Sequence, residues 1–291
     1  MPGNPKLAAM REHYELGEEQ DRLDGPQGQL EFERTKEIVL RHLPPAPAVV
    51  ADIGGGPGRY SLWLASLGYQ VVHRDLMPLH VRQLRQAAGG DPRIQSAVAD
   101  ARQLDLADRS AGAVLLLGPL YHLDQRRDRV QALTEAHRVV RPGGPVIAAA
   151  ISRWAVRMDG ILRARLYETV PAFEAEVSSI ERTGLLPPFY QGSFCAYLHR
   201  PGQLRAELTA SGLRSVEVVS VEGPAFLLAD LGARLADAES RRVVLETARA
   251  LERVPELAGI GTHLIAAGRR APADQTVVPM PPSTGITAPV T

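Results

Sequence analysis

Apolar positions along the chain follow two alternating periods. Short runs such as Val49-Val50-Ala51-Asp52-Ile53 are apolar at nearly every position, the pattern of a strand covered on both faces. Between such runs the spacing shifts to three and four residues: Tyr60, Trp63, Leu64 and Leu67 form a helical stripe. Further strands are predicted at 70–73, 94–99, 113–117 and 145–151, with helices at 79–88 and 125–140. Arg141-Pro142-Gly143-Gly144 ends the latter helix with a turn. A preceding helix at 30–43 places Leu30, Arg34, Ile38 and Val39 roughly on one face, and Pro44-Pro45 stops it. Glu31 and Arg34, three apart on that helix, read as an intrahelical pair. Such alternation predicts an α/β fold with a mostly parallel, doubly wound sheet. Its ligand should lie beyond the carboxyl ends of the strands, where strand order reverses.

The rhythm breaks over residues 152–200, where arginines (Arg153, Arg157, Arg163, Arg165) accompany Trp154, Tyr167 and Phe173 and a Pro- and aromatic-rich stretch follows. This segment reads as an insertion packed over the sheet. Alternation resumes with a helix at 201–211, a strand at 215–221, a helix at 233–251 and a strand at 263–267. Residues 1–45 are charged and helical in pattern, and 272–291 are Pro/Thr-rich without periodicity, as in a flexible tail.

The loop after the first strand carries the strongest chemical signal. Asp52-Ile53-Gly54-Gly55-Gly56-Pro57-Gly58 lets the backbone approach a ligand closely and aims helix N-terminal amides at it. Dinucleotide-binding dehydrogenases use the same device, but their pattern counted from Gly54 needs a small residue at position 59, which is Arg59 here. Asp52 suits an ammonium group better than a pyrophosphate. Asp75 stands 21 residues beyond Gly54, where a carboxylate can accept from ribose hydroxyls. Asp100, after the third strand, can accept from an adenine amino group. Each acid alone can equally be a strand-end charge or a helix cap; three of them ending successive strands beside a glycine loop point to an adenosyl ligand.

On these motifs, together with Asp75-Leu76, Asp100-Ala101 and Arg141-Pro142-Gly143-Gly144, residues 46–151 resemble the class I S-adenosylmethionine-dependent methyltransferase family. Flanking stretches, among them Leu117-Gly118-Pro119-Leu120-Tyr121-His122-Leu123, Ala150-Ile151-Ser152-Arg153-Trp154 and Val221-Glu222-Gly223-Pro224, resemble a bacterial small-molecule-type subgroup. The resemblance implies a Rossmann-like, seven-stranded sheet with an antiparallel last strand, preceded by an N-terminal helical lid (1–45) and interrupted after strand 5 by an insertion forming the acceptor pocket. It implies S-adenosyl-L-methionine as cofactor and S-adenosyl-L-homocysteine as product. Gly54, Gly56, Gly58 and Leu117 would lie beside the cofactor with Asp52, Asp75 and Asp100. Leu76 would pack on the adenine and the Ala101 backbone would meet the ring edge.

Methyl transfer from a sulfonium is an in-line displacement, so the protein chiefly supplies positioning, exclusion of water and a base for an N–H or O–H acceptor. His122, in the loop after the fourth strand, is the candidate base, with helix capping as its alternative role. Tyr121 shapes the pocket or packs beside it. Glu168 is a candidate base if the acceptor is carbon. Tyr14, Arg153, Trp154, Tyr190, Phe194, Tyr197 and His199 are candidate acceptor contacts, the arginines being suited to a carboxylate or phosphate. No convincing set of metal ligands stands out, and the single cysteine, Cys195, reads as a packing residue.

Composition narrows the partners. The formal net charge is zero, so no global field draws the chain to nucleic acid or to an anionic membrane. The first residues show no basic start followed by an apolar run, and no segment approaches 18 uninterrupted apolar residues. The expected protein is a cytoplasmic monomer or homodimer that methylates a small molecule in specialised metabolism. The alternatives are a protein or RNA methyltransferase, a non-catalytic S-adenosylmethionine-binding regulator, and a nicotinamide-dependent oxidoreductase, which Arg59 disfavours.

Overall fold

The computed structural model describes Tyr14, residues 18–188 and residues 195–273. Five parallel strands lie in the order β3-β2-β1-β4-β5: β1 (Val49–Ile53), β2 (Gln70–Asp75), β3 (Ile94–Val98), β4 (Ala113–Leu116) and β5 (Pro145–Ser152). β9 (His263–Arg269) extends the sheet antiparallel to β5, and β8 (Arg214–Ser220) pairs antiparallel with β9. This is the seven-stranded sheet with an antiparallel last strand.

Alternation along each strand builds two cores. Ala51 and Ile53 of β1 face one layer with Leu133, Ala136, Leu204 and Leu208, from helices Arg126–Val139 and Pro201–Ala210. Val50 faces the other, with Ile38, Val39, Leu64 and Ala65 from helices Pro26–Leu40 and Arg59–Ser66. β5 divides in the same way, Val146, Ala148 and Ala150 on one side and Ile147 and Ala149 on the other. Leu64 and Leu133 are fully buried, so truncating either to alanine costs about 2–5 kcal/mol. Strand order reverses between β1 and β4, which opens a crevice at their carboxyl ends.

Three elements differ from the sequence expectation. The segment 152–200 includes, besides helix Phe173–Thr183, a small hairpin of β6 (Leu185–Leu186) and β7 (Ala196–His199), with β7 parallel to the last two residues of β5. The helix expected at 233–251 is two, Leu231–Ala236 and Ala238–Leu251, because Asp237 caps the second by accepting from the Ser240 amide at 2.8 Å. Glu31 and Arg34 do not pair with each other: Glu31 accepts two bonds from Arg22, whereas the fully buried Arg34 binds Glu37 and Glu252. Among the described residues no helix is long and apolar enough to cross a membrane.

Candidate functional site

Two adjoining cavities open at the crevice. The first, about 100 Å³, is lined by the glycine loop (Gly54, Gly56), by Asp75 and Leu76 after β2, and by Ala99, Asp100 and Ala101 after β3. Tyr14, Tyr121 and His122 close its other side. The second, about 350 Å³, is walled by Leu123, Leu185, Leu186, Pro187, Cys195 and Ala196, with Asp100, Arg102, Asp124 and Asp128 also in its lining. Leu76, Asp100, Tyr121, His122 and Leu123 belong to both.

β2 continues to Asp75, so strand alternation places His73 and Asp75 on one buried face. The Asp75 carboxylate accepts from the Gly56 amide at 2.9 Å, the Met77 amide at 2.8 Å and His80 Nδ1 at 3.1 Å. Burial pushes the Asp75 carboxyl up, but these hydrogen bonds, led by His80, outweigh it and hold it below the usual range. Asp100 accepts from the backbone and guanidinium of Arg102; that pairing overcomes burial and keeps its carboxyl low as well.

Asp52 lies beneath the loop rather than in the cavity wall. It is fully buried, and its Oδ2 accepts from Ser61 at 2.6 Å while Oδ1 has no partner. Burial raises its pKa, opposed by His73 and Ser61. The carboxylate lies directly against the loop: a Cβ at Gly55 would stand 2.5 Å from Oδ2. Gly58 (φ 92°) also faces away from the cavity: a Cβ there would meet Leu84 at 2.3 Å, so it serves close packing against helix Pro78–Ala88. Leu117 lines a separate small chamber with Tyr121, Glu31 and His263.

Tyr14 and His122 meet. The Tyr14 hydroxyl lies 2.7 Å from His122 Nε2, and its ring packs edge-on against His80, with centroids 4.8 Å apart. Burial first, then Tyr121, Glu19 and Asp75, push the Tyr14 hydroxyl well above its ordinary pKa. It therefore stays protonated and donates to the imidazole.

The other described candidates in the insertion are not among the residues that line the two cavities. Arg153 is 2% exposed, and its guanidinium donates to Leu198 O, Glu181 O and the Gln203 side chain. His199 is fully buried against Glu207, which Arg129 grips with Nε and Nη2 while its Nη1 donates to the Leu123 and Asp124 carbonyls. Tyr197 packs on Arg129 and Trp154 stacks near Arg200 on the surface. Glu168 is exposed and pairs with Arg165. Arg157 and Arg163 pair with Glu181 and Asp159. Tyr190 and Phe194 lie outside the described residues.

Some residues escaped the sequence reading. His80 is one helical turn beyond Asp75, a spacing that could have flagged it. Leu185, Leu186 and Asp128 carry no local signal. A trio formed by Glu31, Glu222 and His263 brings ligand-type atoms within 4.8 Å of one another. Arg22 already occupies both Glu31 oxygens and His263 Nδ1 bonds Glu222 at 2.5 Å, which makes the trio an ion-pair network. Burial lowers the His263 pKa, but Glu31 and Glu222 together carry it up to about 9.

Residues 51–148 match the family described as a methyltransferase domain. The ubiquinone/menaquinone biosynthesis C-methyltransferase of Acidiphilium cryptum is 34% identical over 122 residues, covering 40% of this chain and 48% of that protein. A ubiquinone biosynthesis O-methyltransferase of Xanthomonas axonopodis is 28% identical over 202 residues, 67% of this chain and 75% of that one. The chain thus spans about half the length of the first of these relatives. A solved S-adenosylmethionine-dependent methyltransferase from Methanosarcina mazei shares the fold with a TM-score of 0.54 at 17% identity, covering 81% of this chain and 98% of that one. Residues 51–148 thus carry a methyltransferase domain, on a fold shared with a solved S-adenosylmethionine-dependent methyltransferase.

Proposed function

We infer that the protein transfers a methyl group from S-adenosylmethionine to a small-molecule acceptor, the donor in the first cavity and the acceptor in the second. The observation that carries this reading is that the two cavities meet at Tyr121 and His122. The first cavity fits the donor chemically. Gly56 (φ 58°) has open space where a side chain would stand. Asp75 and Asp100 offer carboxylates to hydroxyl and amino groups, with Leu76, Ala99 and Ala101 as apolar wall. The donor, when bound, supplies an electrophilic methyl group and leaves as a neutral thioether.

The chain's own residues orient the acceptor and take its proton. An N–H or O–H acceptor sheds a proton as it is methylated; the Tyr14 hydroxyl receives it and passes its own to His122 Nε2. Tyr14 thereby covers the junction and helps exclude water from it. In the described wall of the second cavity the one guanidinium, Arg102, is engaged with Asp100 and Asp128. A largely apolar acceptor without a carboxylate or phosphate suits that wall better than an anionic one.

Calorimetric titration with S-adenosylhomocysteine and with NADH tests the reading. Binding of S-adenosylhomocysteine is expected; binding of NADH alone overturns it.

A further inference from the structure

We propose that His80 is a donor-binding residue that reads a ribose hydroxyl alongside Asp75; this rests on the reading of the first cavity as the S-adenosylmethionine site. His80 stands in the first turn of helix Pro78–Ala88, is 3% exposed and lines that cavity. Its Nδ1 bonds Asp75 Oδ1 at 3.1 Å, and its Nε2 is buried with no hydrogen-bond partner. A buried, unpartnered imidazole nitrogen costs free energy unless a ligand or another group satisfies it.

The tautomer follows from the neighbours. Asp75 is an acceptor held in its ionised form by the Gly56 and Met77 amides as well as by His80. The proton shared with Asp75 therefore sits on Nδ1, and Nε2 is the nitrogen left to meet a ligand. Asp75 Oδ2 takes a single bond, from Gly56, and retains acceptor capacity. A carboxylate oxygen with acceptor capacity and an unpartnered imidazole nitrogen, from two residues lining one cavity, suit vicinal ribose hydroxyls, each of which can donate or accept. Tyr14 packs edge-on against the same imidazole and donates to His122, so the residue that covers the ribose site also touches the proposed base.

The test titrates full-length wild type and His80→Phe with S-adenosylhomocysteine and with its 2′-deoxy and 3′-deoxy analogues. His80→Phe should weaken S-adenosylhomocysteine at least about tenfold, while one deoxy analogue binds both proteins equally because it lacks the hydroxyl that His80 reads. Equal S-adenosylhomocysteine affinity in the two proteins overturns the assignment and leaves the cofactor reading intact. An equal loss for all three ligands also overturns it, since His80 is then only a brace for Asp75. Wild type that binds none of them fails the cofactor reading itself. If His80→Phe does not melt cooperatively, His80→Asn, which keeps a donor toward Asp75 and removes the outer nitrogen, takes its place with the same expected outcomes.

Discussion

The proposed donor and acceptor sides of this molecule are built on different principles. On the donor side, polar groups stand at strand ends: Asp75 is the last residue of β2, Asp100 stands two residues past β3, and both line the first cavity. Backbone geometry aims them there whatever the rest of the chain does. On the acceptor side the polar residues of the insertion turn inward. The buried Arg153 and His199 join Arg129 and Glu207, with Tyr197 and Gln203 at the edge, in a cluster that anchors the hairpin, and the insertion offers the second cavity Leu185, Leu186, Pro187, Cys195 and Ala196. A charged side chain near a strand end is a ligand contact in one half and a structural pin in the other.

The largest expected effect tests the pin. Glu207→Ala leaves Arg129 and His199 buried without their carboxylate and should cost about 3–5 kcal/mol in urea unfolding. Affinity for S-adenosylhomocysteine should survive wherever the variant remains folded. A fully stable variant with altered acceptor preference would break the comparison.

His122→Ala should lower kcat about a hundredfold with donor affinity unchanged, whereas Glu168→Gln should leave both alone. Turnover by His122→Ala at the wild-type rate would move the proton's destination elsewhere. Asp75→Ala should weaken S-adenosylhomocysteine by more than about tenfold, roughly 1.4 kcal/mol, in calorimetry.

The smallest effect concerns the clamp between the N-terminal helix and the sheet. His263 is raised from 6.5 to about 9 by Glu31 and Glu222, against burial and Arg22. A raised folded-state pKa contributes stability that is full below about pH 6.5 and lost as pH rises through about 9. The melting temperature should decline across that window, and Glu222→Gln should flatten the decline; an unaltered slope would assign it to other groups.

Sequence patterning revealed the donor half because its information is local. A run of apolar residues ending in glycines and an acid after each strand needs no tertiary knowledge to read. The seven strands of the sheet were visible for the same reason. The two-residue strand β6 was not, because Leu185-Leu186 is too short to show a period. Asp237 could have been read as a cap dividing two helices, with Ser240 three residues on. Arg153 and His199 could not have been sorted from pocket residues: their burial depends on Glu181 and Glu207, which only the folded chain brings near. The Arg22–Glu31 pairing likewise depends on how the N-terminal segment returns across its own helix.

β5 ends in a fork. Along Pro145 to Ile151 it pairs with β9, and at Ile151 and Ser152 it also takes on β7. The hairpin that walls the second cavity therefore joins the sheet through two residues, while the glycine loop lies two strands away after β1. Such an attachment makes the wall an exchangeable part. In the proposed reading, substitutions in this short ribbon should alter acceptor preference while leaving donor affinity unchanged.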